Sequence, residues 1–197
     1  IINHVIDNFV GYGIEKIVVN TFYKAEMLEE HLSKRSDVEI LFSREPERLE
    51  TGGGILHALP LLGDDPFFVA SSDVILVDKE GKKPHLELLE EKWTDDLDTL
   101  LLLQPMDNTY GYDGAGDFEM DEQGNLAWRN SKRASYVFTS TQIINAQSFA
   151  RPEVKELGTH CPLAAVYKLF AERTKGAESQ SDWYHIGTPE AVEGLEL

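Results

Sequence analysis

Residues 49–77 read LETGGGILHALPLLGDDPFFVASSDVILV, and this stretch decides the fold. A polar loop over 44–51 leads into Gly52, Gly53 and Gly54, a short helical segment follows over 55–61, and 66–77 is a strongly apolar strand interrupted by Ser71, Ser72 and Asp73. A strand apolar on both faces belongs in a sheet covered on both sides, the usual setting of parallel strands. Upstream, Ile2, Val5, Ile6, Phe9 and Val10 form one helical stripe, 14–20 is a strand, 23–32 a helix and 38–43 a strand. Downstream come a helix over 86–92, a buried strand over 99–104, a strand over 136–144, a helix over 163–173 and a short strand over 183–186 before a helix at Pro189. Segments 117–120 and 126–129, around the turn 121–124, read instead as an antiparallel hairpin. The expectation is one α/β domain over residues 1–197, Rossmann-like, with a mixed, mostly parallel sheet, helices on both faces and a small antiparallel insert.

Composition agrees and narrows the function. A chain of 197 residues is long enough for a single core that buries about 70% of its unfolded surface without a disulfide or metal staple. Eighteen Lys and Arg against 35 Asp and Glu give a net charge of −17. That argues against duplex nucleic acid or an anionic membrane as partner, since both need clustered cations. A small anionic substrate is still compatible, because a metal ion and one loop offset charge locally. Cys161 is the single cysteine, so no internal disulfide or multi-cysteine metal site forms, which suits a reducing cytoplasm. The longest apolar runs, such as 100–103, are far too short to span a bilayer, and no signal peptide is recognisable.

In such a sheet the chemistry sits beyond the carboxyl ends of the strands, and three features fall there. Glu50, Thr51, Gly52, Gly53 and Gly54 lie between a strand and a helix; they suit either a plain tight turn or a backbone that a ligand approaches closely, beside the free N–H groups of a helix start. Asp73 ends the most apolar strand, where a carboxylate is costly unless it caps a turn or meets a metal. The segment 110–117, YGYDGAGD, offers aromatic faces and carboxylates that suit a sugar ring, or serves as a hairpin connector.

In their order along the chain, 49–55, 58–62, 66–69 and 72–74, then Gly111, Tyr112 and Asp113 with Gly116, Asp117 and Phe118, then 137–139 with Gln142 and Ile143, and finally 186–190 resemble bacterial sugar-1-phosphate nucleotidyltransferases. The likeness runs toward N-acetylmuramate-1-phosphate uridylyltransferases and mannose-1-phosphate guanylyltransferase-like proteins. It covers essentially the whole chain. The resemblance implies transfer of a nucleoside monophosphate from a nucleoside triphosphate, UTP favoured, to a sugar 1-phosphate with release of pyrophosphate, in cytoplasmic cell-wall precursor synthesis. It assigns Glu50, Thr51, Gly52, Gly53 and Ser72 to the nucleotide, Asp73 to catalysis as a ligand of Mg²⁺ (or Mn²⁺), and Gly111, Asp117, Thr139 and Gln142 to the sugar.

Two departures stand out. The family opens with a strand and a Gly-rich, Arg- and Lys-bearing loop around the triphosphate, and the sequence begins where the following helix should begin, so that first segment is expected to be missing from this chain. The family's second metal carboxylate corresponds here to His185, read either as a ligand or as a ring packed against Trp183 or Tyr184. Asp182 falls on the opposite strand face, and the adjacent His160 and Cys161 do not converge on one ion. A non-catalytic nucleotide- or sugar-phosphate-binding module of the same fold is the alternative. A receiver-like domain is excluded by the 111–117 insert and the C-terminal Gly-Thr-Pro-Glu.

Overall fold

The computed structural model describes residues 1–193. In chain order its elements are α1 (Ile2–Tyr12), β1 (Lys16–Thr21), α2 (Ala25–Leu32), β2 (Glu39–Arg44), α3 (Glu50–Leu62), β3 (Phe67–Ala70), β4 (Val74–Val77), α4 (His85–Lys92), β5 (Thr99–Pro105) and β6 (Thr109–Tyr110). There follow β7 (Phe118–Met120), β8 (Leu126–Trp128), β9 (Tyr136–Ile144), α5 (Ala146–Phe149), α6 (Pro152–Lys155), α7 (Leu163–Leu169), β10 (Thr174–Glu178), β11 (Asp182–His185) and α8 (Pro189–Glu193). They divide into two compact units, one of residues 1–8, 68–143 and 173 onward, the other of 9–67 and 144–172.

In the first unit a six-stranded sheet runs β10-β5-β9-β7-β8, with β3 beside β9. The leucine run of β5 explains its place. Every side chain from Thr99 to Gln104 is buried, as expected for a strand flanked by β10 and β9 and covered on both faces. β10 pairs with β5 in parallel, whereas β7 runs antiparallel to both β8 and β9. The expected hairpin is therefore present, and it extends the main sheet. A second sheet of order β4-β11-β6 supplies Val74, Leu76 and Trp183 to a core completed by Leu88, Leu89, Leu97, Leu100, Leu102, Met106, Val137, Ile143 and Ala177.

Three local readings need correction. The run 66–77 is not one strand; β3 and β4 belong to different sheets, with a turn at Ser72 and Asp73 between them. α3 begins at Glu50, so the three glycines are its first turn and not a loop ahead of it. β10, sequence TKGAE, carries no apolar signal; its strand conformation comes from pairing with β5.

The far end of β4 is tied down by one carboxylate. Asp78 Oδ1 accepts from the backbone N–H of His85, the first residue of α4, at 3.0 Å and from Ser181 Oγ at 2.6 Å; His85 Nδ1 lies 2.9 Å away. Burial opposes ionisation of Asp78, but the contacts to His85 and Ser181 outweigh it and hold the carboxyl below its ordinary 3.8. Asp78→Ala is expected to cost about 1–3 kcal/mol of stability at neutral pH, because it strips a helix-start donor and a buried hydroxyl of their acceptor. Since the folded-state value is depressed, the contribution is fully present above the ordinary carboxylate value and fades as pH falls below it. Urea denaturation at pH 7 and pH 3 checks both; a variant gap as wide at pH 3 as at pH 7 would refute the assignment.

The second unit pairs β1 and β2 in parallel, Lys16 opposite Glu39 through Thr21 opposite Arg44. α3 packs against this pair and against α7. Phe149, Val154, Val166 and Phe170 are buried here, and the rings of Phe149 and Phe170 meet edge to face.

Candidate active site

In the second unit, α3 starts under tension. Glu50 adopts a left-handed backbone (φ 59°), which a non-glycine residue holds only where its surroundings dictate it. The carbonyls of Thr159 and Cys161 press against the first helical turn. A Cβ on Gly53 would stand 1.9 Å from Thr159 O, and one on Gly52 would stand 2.6 Å from Cys161 O. Gly53 N donates to Cys161 O at 3.0 Å. These two glycines thus serve a close approach of the protein's own backbone. Burial of Cys161 in this contact pushes its thiol pKa up. Glu50 and Thr51 are exposed, and the N–H groups of a first helical turn have no partner within the helix.

In the first unit, the segments expected to share a metal are neighbours. His185 lies opposite Val74 in the β4–β11 ladder, and Ile186 N donates to Asp73 O at 2.8 Å. Asp73 and Ser72 are exposed in the turn that leads into β4. The argument from a carboxylate stranded in an apolar strand therefore fails, because water reaches Asp73 directly. What recommends it is position, beside the chain 185–187 and open to a ligand.

The His185 ring lies 6.0 Å from the ring of Trp183 at 29° and 6.0 Å from Tyr112, edge to face, while Tyr112 meets Trp183 at 5.5 Å. Of the two readings of His185, packing is the one this cluster favours. Among the described residues no group of three or more His, Cys, Asp or Glu is arranged to hold an ion. The donor set still suits Mg²⁺ in one form: a single exposed carboxylate whose remaining ligands are substrate phosphate oxygens and water. His185→Phe keeps the aromatic packing, so the Mg²⁺ dependence and pH profile of turnover are expected to stay unchanged. A shifted metal preference in that variant would make the imidazole a ligand after all.

The segment 110–117 folds against β11. Gly111 holds φ 71°, and a Cβ there would stand 2.6 Å from His185 O, so only glycine fits. Tyr112 OH accepts from Gly116 N at 3.3 Å; burial, then the nearby Asp117 charge, raises its pKa. Asp117 Oδ2 accepts from Phe138 N at 2.9 Å, which fixes this carboxylate to β9. Its sequence assignment to a sugar passed over that anchoring role.

Thr139 and Gln142 do not line a sugar pocket. Both are fully buried in β9. Thr139 Oγ1 donates to Leu102 O at 2.9 Å, and Gln142 Oε1 accepts from Thr99 Oγ1 at 3.1 Å, so both stitch β9 to β5. The family resemblance assigned them to a sugar, but here each bonds to β5 inside the sheet.

Comparison with known proteins bears on the chain as a whole. A family model described as nucleotidyl transferase matches residues 1–193. An N-acetylmuramate alpha-1-phosphate uridylyltransferase of Caulobacter vibrioides is 31% identical over 202 residues, covering 97% of this chain and 80% of the relative. A mannose-1-phosphate guanylyltransferase catalytic subunit beta of Drosophila melanogaster is 36% identical over 80 residues, 38% of this chain and 22% of that protein. Among solved structures, a putative glucose-1-phosphate thymidylyltransferase from Bacillus anthracis superposes with a TM-score of 0.77 at 14% identity, covering all of this chain and 83% of that one, a likeness of fold. With the α/β architecture, the exposed Asp73 beside 185–187 and a family match along the whole described length, the chain belongs to the nucleotidyl transferase family.

Proposed function

We propose that the protein transfers a nucleoside monophosphate from a nucleoside triphosphate to a sugar 1-phosphate, with UTP the favoured donor. The observation that carries this reading is the match across 97% of the chain to a relative named for uridylyl transfer to N-acetylmuramate 1-phosphate. A sugar-phosphate oxygen attacks the α-phosphorus, the bond to the bridging oxygen breaks, and pyrophosphate leaves. Such a transfer asks the protein for positioning and charge neutralisation.

Asp73 is the residue we assign to hold Mg²⁺ together with phosphate oxygens. When bound, the ion offsets charge on the phosphates. Ser72 flanks Asp73 on the nucleotide side, and Glu50, Thr51 and Gly52 offer exposed side chains or first-turn N–H groups to the base. Gly53 contributes through its shape, because its N–H is committed to Cys161 O. Gly111 and Asp117 shape the sugar side through the folded 110–117 segment. No described helix is long and apolar enough to cross a membrane, and the proposed product belongs with cell-wall precursors made in the cytoplasm.

Pyrophosphate release measured with each of the four nucleoside triphosphates, paired in turn with N-acetylmuramate 1-phosphate and mannose 1-phosphate, tests the donor. UTP with the muramate is expected to turn over fastest. Faster turnover of GTP with mannose 1-phosphate would overturn the uridylyl assignment and leave the family intact.

A further inference from the structure

The first turn of α3 is held by two side chains that lie outside every motif named above. Asn20, near the end of β1, donates from Nδ2 to Glu45 Oε1 at 3.1 Å and to Gly54 O at 2.9 Å. Glu45, immediately after β2, accepts with Oε2 from Leu49 N at 3.1 Å, and its own N donates to Thr21 O at 2.8 Å. One carboxylate thus joins the ends of both strands to the residue that precedes Glu50. Leu49 is itself buried, and the Thr159 and Cys161 carbonyls close the turn from another side. The left-handed backbone of Glu50 sits between these two restraints.

We infer that Glu45 and Asn20 are positioning residues that set which nucleobase the protein accepts. The inference rests on the reading of residues 50–53 as the base-side element. A base edge read by backbone groups requires those groups to be held to a fraction of an ångström, and here the Glu45 carboxylate fixes the entry to the turn. Selection among bases is a difference between affinities, so loosening the turn erodes the difference before it touches the reacting atoms.

Gly54 provides a way to open the clamp without disturbing the base-side residues. A Cβ at Gly54 would stand 2.8 Å from Glu45 Oε1 and 3.2 Å from Asn20 Nδ2, both ends of side chains that can swing away. Alanine also favours the helix more than glycine does. The test compares the parent protein with Glu45→Gln, Asn20→Ala and Gly54→Ala, measuring kcat and KM for UTP, CTP and GTP and the melting temperature of each variant. We expect KM for UTP to rise about tenfold in all three, with a similar fall in the preference for UTP and little change in kcat. The melting temperature of Gly54→Ala is expected not to fall, which separates placement from general weakening. Unchanged KM and base preference in folded variants would overturn the inference, and so would a loss confined to kcat and equal for every nucleotide. A parent protein that turns over no nucleoside triphosphate would overturn the underlying reading, and the inference with it.

Discussion

Asp73→Asn is expected to lower turnover by about two to three orders of magnitude, the scale of losing a group that neutralises charge in a transition state. The side chain is exposed in the turn before β4, so the fold should be indifferent to the change, as surface substitutions usually are. The backbone carbonyl of Asp73 accepts a hydrogen bond from Ile186 N, and asparagine keeps it. Steady-state kinetics at saturating substrates and Mg²⁺, alongside a thermal melt, separates the two contributions. A folded Asp73→Asn protein with near-parental turnover would remove Asp73 from the reaction.

Gly53→Ala is expected to produce the largest loss of stability of any glycine-to-alanine change among the described residues. The new Cβ would sit 1.9 Å from Thr159 O and 3.1 Å from Leu49 Cβ. Backbone cannot swing aside as a side chain can, so α3 and the 159–161 segment must part, breaking the Gly53 N to Cys161 O bond as well. We expect about 3 kcal/mol, the upper end of overpacking penalties, which for a chain of this size corresponds to a fall in melting temperature of roughly 10 °C. One residue on, Gly54→Ala should leave stability unchanged or raised. Equal melting temperatures for the two variants would show that the 159–161 contact is not the restraint described.

The contrast between these glycines shows how much of the molecule was legible in the chain. The glycine run reads as a tight turn or as a backbone that a ligand approaches; what lies against Gly52 and Gly53 is the backbone of residues 159–161, a hundred positions away, which no local pattern reveals. Periodicity located β5 and bounded β9 at residues 136–144, because buried leucines and alternating burial leave direct traces. It passed over β10, whose Lys175, Gly176 and Glu178 form a strand only because β5 lies beside them. The run 66–77 looked like one strand since apolar character does not tell which sheet a residue joins. Asp73 was singled out for a buried charge, and the structure keeps it as a candidate for the opposite reason, its accessibility. Thr139 and Gln142 mark the limit of carrying roles over by resemblance: a hydroxyl and an amide serve a sugar or a neighbouring strand equally well, and in this structure both are buried against the strand.

The most direct test of the proposed transfer follows the α-phosphorus. The protein, with any residues its gene encodes ahead of Ile1, is incubated with Mg²⁺, N-acetylmuramate 1-phosphate and UTP labelled either at the α- or at the γ-phosphate. The account predicts the α-label in a nucleotide-sugar and the γ-label in pyrophosphate, in equal amounts and only when the sugar phosphate is present. Release of α-label as free UMP, γ-label as inorganic phosphate, or binding of UTP with neither label transferred would contradict it.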